Sequence, residues 1–557
     1  LEQALPPQKD FYSSLRREGI TSEEYAHAQK VWKEFAIKDL GDYTDLYLKT
    51  DVMLLAVVWD NFRKLCIKTS RIEPSWYVSL PSFSFDKLFI SKQTQFIVKN
   101  NEKFQWHIDL FKDGQDDMYQ WVEKSIRGGI STITHRHAEG NNEQMKSYDP
   151  DRQSSTIKYL DANNLYGWAM SQKLPTGEYK WEQNLDEWTT ERILSLSDES
   201  SHGYIFEVDL HYPKELHDLH NDYPLAPESL SVSDEMLSDY SKSFLQKYET
   251  EQLGTNKLIP NLNDKKNYTL HYRNLKLYLK LGLVLQKVHK VLSFSQDTWM
   301  KDYVDSHTAM RAAAKNDFER DFYKLSVNAT FGKTMENVRN RIKYDLVSST
   351  EESKLKKLVA KPTFKSCKHI NEEIVGIERS VNEVKLDKPI AVGFSILELS
   401  KVLMYDFHYN VVKKVFGERS KLLFTDTDSL CYHLKTEDFY KEMNEYQNLF
   451  DCSDLSKDHQ WFSTTNKKVI GKFKDETKGV EIKEFVGLRS KMYSYVLDNE
   501  VQAKKAKGTA KAVVKKDLDH SNYKDCILEN KLHNVSMSSF RSDNHTVFTN
   551  VINKIGL

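Results

Sequence analysis

Apolar residues recur at helical spacing through residues 22–65. Tyr25, Ala28, Val31, Trp32 and Phe35 share a face, and DLYLKTDVMLLAVVWDNF continues the period. Pro74, Pro81 and the serine-rich SLPSFSF predict a break after it. Around residues 151–175 the pattern changes. IKYLD reads as a strand, Asn163 and Asn164 as a turn, and LYGWAM suits a helix. HYRNLKLYLKLGL reads as a helix stopped by Gly282, VLQKVHKVLSF as a short strand, and the chain from Trp299 to Phe331 as helix again. Ile396 to Phe407 is apolar and helix-like. KLLFTDTDSLCYHL is two strand-like runs about an acidic turn, which predicts a hairpin. FVGL and MYSYVL predict strands beyond residue 470, with a lysine-rich stretch after them. Two regions lack a clear period: 178–255, read as an inserted subdomain, and 345–390, Lys/Glu-rich and read as surface. No internal repeat is found.

Composition narrows the class. The chain of 557 residues has room for about two to four domains of ordinary size. With 39% hydrophobic and 12% aromatic residues, 20 Gly and 12 Pro, it is globular rather than disordered or collagen-like. Lys plus Arg number 80 against 81 Asp plus Glu, a net charge of −1, so a uniformly basic coat is excluded and any nucleic-acid surface must be local. Cys66, Cys367, Cys431, Cys452 and Cys526 lie far apart without C-x-x-C spacing. That spacing argues against a disulfide framework or a zinc site and for an intracellular chain. No apolar run approaches the roughly 18 residues that span a bilayer, and no membrane partner is expected. The opening LEQALPPQKDF lacks an initiator Met and a signal peptide, and reads as the start of a fragment.

Three stretches carry candidate chemistry. Two carboxylates at the tip Thr425-Asp426-Thr427-Asp428-Ser429 suit hard divalent cations, though Asp and Ser favour any solvated turn. Asp161 closes a strand before a tight turn, as an exposed carboxylate or as a helix N-cap. Arg320, Lys324, Asn328 and Phe331 share a helical face that suits a triphosphate and a base, or forms a solvated basic stripe. Phe318, Phe322, Leu325 and Ala329 lie on a neighbouring face expected to pack inward.

In this order DANNLYG, KLSVNATFG and TDTDS resemble motifs A, B and C of family B DNA polymerases. The closer resemblance is to the protein-primed branch, with the polymerases of Polinton/Maverick elements and related viruses. RGGIS at 127–131, YRNLKLYLKLGL at 272–283, GFSILELSKVLMYDFHYN at 393–410 and LRSKMYSY at 488–495 support it, over about residues 11 to 516. The resemblance implies an α+β right-hand polymerase of palm, fingers and thumb behind a partial ribonuclease H-like 3′–5′ exonuclease domain. The expected division is 1–75 exonuclease remainder, 76–150 linker region with the RGG motif, 151–177 palm, and 178–255 an insertion resembling the terminal-protein region. After these come 256–345 fingers, 346–470 palm with a second insertion between Phe331 and Pro389, and 471–557 thumb and basic segment.

Residue by residue, the resemblance implies that Asp161 and Asp428 bridge two metal ions, with Asp426 as a secondary ligand and the Ala162 carbonyl completing the shell. Mg²⁺ is the expected ion, with Mn²⁺ as a substitute. Lys324 and Arg320 would grip the triphosphate, and Ala162, Asn163, Asn164, Leu165, Asn328 and Phe331 would line the nucleotide pocket. Tyr166 would exclude a 2′-hydroxyl. Arg127, Gly128, Gly129, Gly332, Thr427, Lys491, Tyr493 and Lys507 would meet primer and template, with Lys504, Lys505, Lys511, Lys515 and Lys516 on the duplex phosphates. Tyr47 and Asp51 fit the third exonuclease motif, but the earlier two are missing from residues 1–46, so proofreading is not expected of this chain. The expected partners are primer-template DNA, deoxynucleotides and a terminal protein, in a nucleus or at a viral replication site. Three departures stand out. Phe331 replaces the usual Tyr, Asn164 and Gly167 replace the Ser and Pro of motif A, and Ile126 replaces the Tyr before the glycine pair. An inactive mobile-element relic that still binds DNA is the competing reading. An RNA-linked polymerase is disfavoured, because this turn is Asp-Thr-Asp rather than Y-x-D-D.

Overall fold

The computed structural model describes residues 2–100, 107–247, 254–543 and 546–557, with backbone alone over 93–100. At its centre is a six-stranded sheet in the order 131–133, 420–426, 429–434, 156–162, 473–475, 450–451. The predicted hairpin forms from Ser420–Asp426 and Ser429–Leu434. Its second strand pairs antiparallel with Thr156–Ala162 from Ser429 opposite Asp161 to Leu434 opposite Thr156. Period-2 alternation sends Leu160, Leu430, Tyr432 and Leu434 into one core with Met404, Tyr405 and Phe407.

The helix Ile390–Asp406 lies in that core and runs on through a π-helical segment, Phe407–Val412. It is apolar on nearly every side because a second sheet also covers it. That sheet runs 174–181, 284–297, 202–211, 265–271. Here the expected inserted subdomain at 178–255 is corrected. Its strand His202–His211 pairs with chain on the far side of the segment, and Phe206, Val208 and Leu210 share the central core. The helix before Gly282 is Tyr272–Lys280, and Gly282 at φ 102 makes the stop. The strand after it is longer than expected, Val284–Asp297.

Beside the central sheet stand the helices Lys301–Ala312 and Asp317–Thr334, packed against Leu80–Asn100. The break predicted near Pro81 falls earlier, at Arg71, a left-handed C-cap with φ 58. Pro81 instead opens the next helix, where its missing N–H costs nothing. The inward face expected for Phe318 and Leu325 is also corrected. They are 52% and 54% exposed, whereas Phe322, Val327 and Phe331 are buried. The featureless stretch 345–390 contains a three-stranded sheet, 342–348, 374–380, 364–369, crossed by the helix Glu352–Val359. Its small core of Val347, Leu358, Val375 and Ile377 explains why no period announced it.

The C-terminal part is a four-stranded sheet, 502–506, 492–497, 482–489, 137–139, backed by Lys511–Asp517 and His520–Leu528. Between the two sheets, Lys158 on the central strand pairs with Glu481, both buried. Glu481 also accepts from Thr156 Oγ1 at 2.6 Å and Asn142 Nδ2 at 3.0 Å. Burial opposes charge on both groups, and each partner outweighs it, raising the Lys158 ammonium and lowering the Glu481 carboxyl. The N-terminal 2–100 contribute helices and no strand among the described residues.

Candidate active site

The carboxylates of motifs A and C meet at one end of the central sheet. Asp161 faces Ser429 on one side and Lys474 on the other. The Ala162 N–H donates to the Asp428 carbonyl at 2.7 Å, which fixes the two stretches together. The turn between the hairpin strands is tight. Thr427 sits at φ 68, and its N–H donates to the Ile130 carbonyl at 2.7 Å. A Cβ on Gly129 would collide with the Thr427 side chain, so the RGG stretch is glycine where backbone must approach the acidic turn. Gly129 and Thr427 therefore act by shape.

Electrostatically this end of the sheet is frustrated. Burial first, then the charges of Asp428 and Glu476, push the Asp161 carboxyl up to about 8 against the pull of Lys474 and Lys324. Asp428 is also raised, by burial and then by Asp426, with Lys324 and Lys491 opposing. Asp426 forms an ion pair with Lys491 Nζ at 3.3 Å. Hard carboxylate oxygens that repel one another fit a divalent cation, so Asp161, Asp428 and the Ala162 carbonyl would hold it.

The side where the nucleotide is expected is built from a strand–turn–helix. Asn164 caps Leu165–Met170 from a left-handed conformation, φ 45, and accepts from the Gly167 N–H at 3.3 Å. A Cβ at 167 would strike the Asn164 amide, so the two departures from the motif A pattern belong to one interlocked turn. Tyr166 stacks on Phe331 with centroids 4.3 Å apart at 23°. Phe331, standing where Tyr is usual, thus packs by its ring and without a hydroxyl. Lys324, Asn328 and Gly332 are exposed on the same helix. Arg320 is paired with Asp317 at 2.6 Å, and Leu165 is buried.

Some expected contacts are redirected. The Asn163 amide donates to Asp451 at 2.8 Å, away from the aspartates. The Arg127 guanidinium donates to the Thr269 carbonyl and lies 4.0 Å over Tyr268, so it serves the fold, while Gly128 remains exposed. Tyr493 is buried, stacked on Phe424 at 4.5 Å with its hydroxyl 3.4 Å from Tyr159. It braces the motif strands from beneath, and Lys491 is left as the exposed half of K-x-Y. Lys491, Lys505, Lys507, Lys511 and Lys515 line one groove of about 630 Å³. Lys504 lines it too, but donates its ammonium to the Leu518 carbonyl. Tyr47 and Asp51 lie on the long helix Leu40–Ser70, Tyr47 63% exposed, and among the described residues no group of three ligating side chains includes Asp51.

Four residues at this site carry no motif. Arg311, Lys468 and Lys474 line a cavity of about 140 Å³ with Asn163 and Asn164, and Arg311 Nε is buried without a hydrogen-bond partner. Asp451 and Asp454 line it too, and Lys474 is paired with Asp454 at 3.6 Å and with Glu476 at 3.2 Å, so the cavity carries charges of both signs. Glu476 adds the second negative charge felt by Asp161. The run Lys474-Asp475-Glu476 beside a strand was the available signal for two of them. Arg311 had none.

The family model for DNA polymerase type B, organellar and viral, matches residues 15–413. No curated protein matches the chain. Among solved structures, phi29 DNA polymerase in its orthorhombic crystal form is similar at TM-score 0.50 and 15% identity, covering 85% of this chain and 68% of that one. The same polymerase complexed with primer-template DNA and incoming nucleotide substrates gives TM-score 0.49 at 15% identity, with 86% and 68% covered. A family B polymerase of the archaeon Pyrobaculum calidifontis gives 0.26 at 10% identity, covering 81% and 38%. The first likeness establishes the right-hand polymerase fold. With motifs A, B and C in order and their side chains brought to one end of one sheet, the family match settles the classification: this chain belongs to the type B DNA polymerases, the organellar and viral group.

Proposed function

We propose that this chain adds deoxynucleotides to a DNA 3′-end by a two-metal mechanism centred on Asp161 and Asp428. The observation that carries the reading is the placement of these two half-buried carboxylates side by side, Asp161 on its strand and Asp428 in the adjoining hairpin turn, mutually repelling and both within the field of Lys324. Divalent cations, Mg²⁺ or Mn²⁺ in its place, supply activation of the primer 3′-hydroxyl and neutralisation of the leaving pyrophosphate. Asp161 and Asp428 hold that charge in place. Lys324 and Arg311 face the triphosphate, and the Tyr166–Phe331 stack closes the pocket against a 2′-hydroxyl. Lys491 holds the primer strand, and the lysine groove takes duplex phosphates with a steep salt dependence.

Two finer readings come from the motif resemblance to the protein-primed branch. Initiation starts from a hydroxyl of a terminal protein, and the biological setting is replication of a mobile element or virus, in a nucleus or at a viral replication site. Primer extension on a templated hairpin with Mg²⁺ and deoxynucleotides tests the core reading. Extension by the wild-type chain that Asp428→Ala abolishes supports it. Equal extension by the two removes Asp428 from the chemistry, and no extension by either, with DNA binding intact, favours the relic. Covalent transfer of a labelled deoxynucleotide to a protein acceptor tests priming separately.

A further inference from the structure

Away from the aspartates, a second set of ligating side chains converges where the C-terminal sheet meets its helix. His137 and Glu139 alternate on the edge strand His137–Glu139, so both point to one face, and Glu139 sits directly opposite Glu484. Ligand atoms of His137, Glu139 and Glu484 all lie within 4.8 Å of one another. Among the described residues no other group of three His, Cys, Asp or Glu side chains comes together so closely.

The arrangement has the anatomy of a metal site beyond its three donors. His137 Nε2 is 2.8 Å from Glu484 Oε1, a little inside the edge of about 3.3 Å that bonds near 2 Å give a tetrahedral ion. The other oxygen, Oε2, is 3.2 Å from Nε2 of the buried His520, whose Nδ1 is 3.0 Å from Ser494 Oγ. A carboxylate steered by a histidine that is itself steered by a hydroxyl is the outer support that ligands of bound metals require. A cation already stands against one of the three ligands. The Lys524 ammonium, on a flexible and solvent-reaching stem, is 2.8 Å from Glu484 Oε1. Arg152 holds Glu139 from outside at 2.9 Å.

We infer that His137, Glu139 and Glu484 form a binding site for a borderline divalent cation of the Zn²⁺ class, which displaces the Lys524 ammonium and leaves a fourth position open to water. The imidazole makes the site selective against Mg²⁺, which takes oxygen ligands. Bound there, the ion joins the edge strand at residues 137–139 to the sheet strand carrying Glu484, next to the helix His520–Leu528. The cysteine spacing could not announce this site, because its ligands are imidazole and carboxylate from stretches 347 residues apart. It stands independently of the polymerase reading.

The test is Zn²⁺ titration of the full chain against a chromophoric chelator in excess Mg²⁺, which occupies the Asp161–Asp428 end. The wild-type chain is expected to hold one more Zn²⁺ than His137→Ala, whose exposed side chain can be removed without disturbing the core. Lys524→Ala, which removes the competing ammonium, is expected to bind about tenfold tighter. Ser494→Ala, which touches no ion, is expected to bind about tenfold weaker. Zn²⁺ should raise the Tm of wild type more than that of His137→Ala. Equal Zn²⁺ stoichiometry in wild type and His137→Ala, or no tightening in Lys524→Ala, overturns the site and leaves a protein-only ion-pair cluster.

Discussion

Lys158 and Asp161 stand on the same strand, yet their surroundings follow opposite rules. Lys158 is buried against Glu481, whose remaining lone pairs are taken by Thr156 and Asn142. Asp161 is half-buried beside Asp428 and Glu476, and the pull of Lys474 and Lys324 does not offset them. One end of the strand satisfies its charges within the protein. The other leaves them unsatisfied and open to a ligand. A folded chain tolerates such frustration where the surrounding structure over-determines the geometry, and the frustration marks the functional end.

The contrast can be broken at either end. The largest effect belongs to Asp428→Asn, expected to cut primer-extension kcat by about 10³-fold or more, while Tm in EDTA stays at or above wild type because a repulsion is gone. A parallel fall in Tm would mean that this end is also structural. At the other end, Lys158→Met should destabilise by about 3–5 kcal/mol in urea unfolding, since Glu481 is left buried and unpaired. Lys158→Met with Glu481→Leu should recover most of that loss. Between them, Gly129→Ala forces a Cβ into Thr427 and should cost about 1–3 kcal/mol, with a fall in kcat as the acidic turn shifts. Adding Thr427→Gly, compatible with its positive φ, should restore part of both.

The smallest effect sharpens the comparison through pH. The folded Asp161 carboxyl is pushed up to about 8 from its ordinary value of 3.8, so the folded state holds its proton more tightly than the unfolded chain does. Its stabilising contribution is complete below about pH 4 and is lost as pH rises through 8. In EDTA, wild type should therefore lose stability relative to Asp161→Asn across that window, and Mg²⁺ should close the gap. Parallel stability curves for the two proteins would show that Asp161 is not frustrated.

What the sequence disclosed follows the range over which each feature is decided. The strand–turn–helix at 156–170 and the hairpin at 420–434 were legible because alternation, Asn turns and Asp-Thr-Asp act over a few residues. The aspartates, Lys324, Tyr166 and Phe331 were singled out by motif order, whereas the stacking of the two rings was not. The inward turn of Arg127, the burial of Tyr493 beneath Phe424 and the outward Phe318 and Leu325 were not legible, since distant packing decides them. The sheet at 342–380 stayed hidden because its core is four side chains. Arg311 and Glu481 gained meaning only from neighbours more than a hundred residues away in the chain.

The interlocked turn at Asn164 and Gly167 has a consequence for how such chains change over generations. The Asn164 amide occupies the space a Cβ at 167 needs, and it accepts the very N–H that proline lacks. Exchanging Gly167 for Pro with Asn164 in place loses the cap and creates a collision. Exchanging Asn164 alone leaves a left-handed residue and an uncapped helix beside the Tyr166–Phe331 stack. The two versions of this turn are therefore separate peaks with a valley between them, and a lineage on one peak reaches the other only by crossing both positions together.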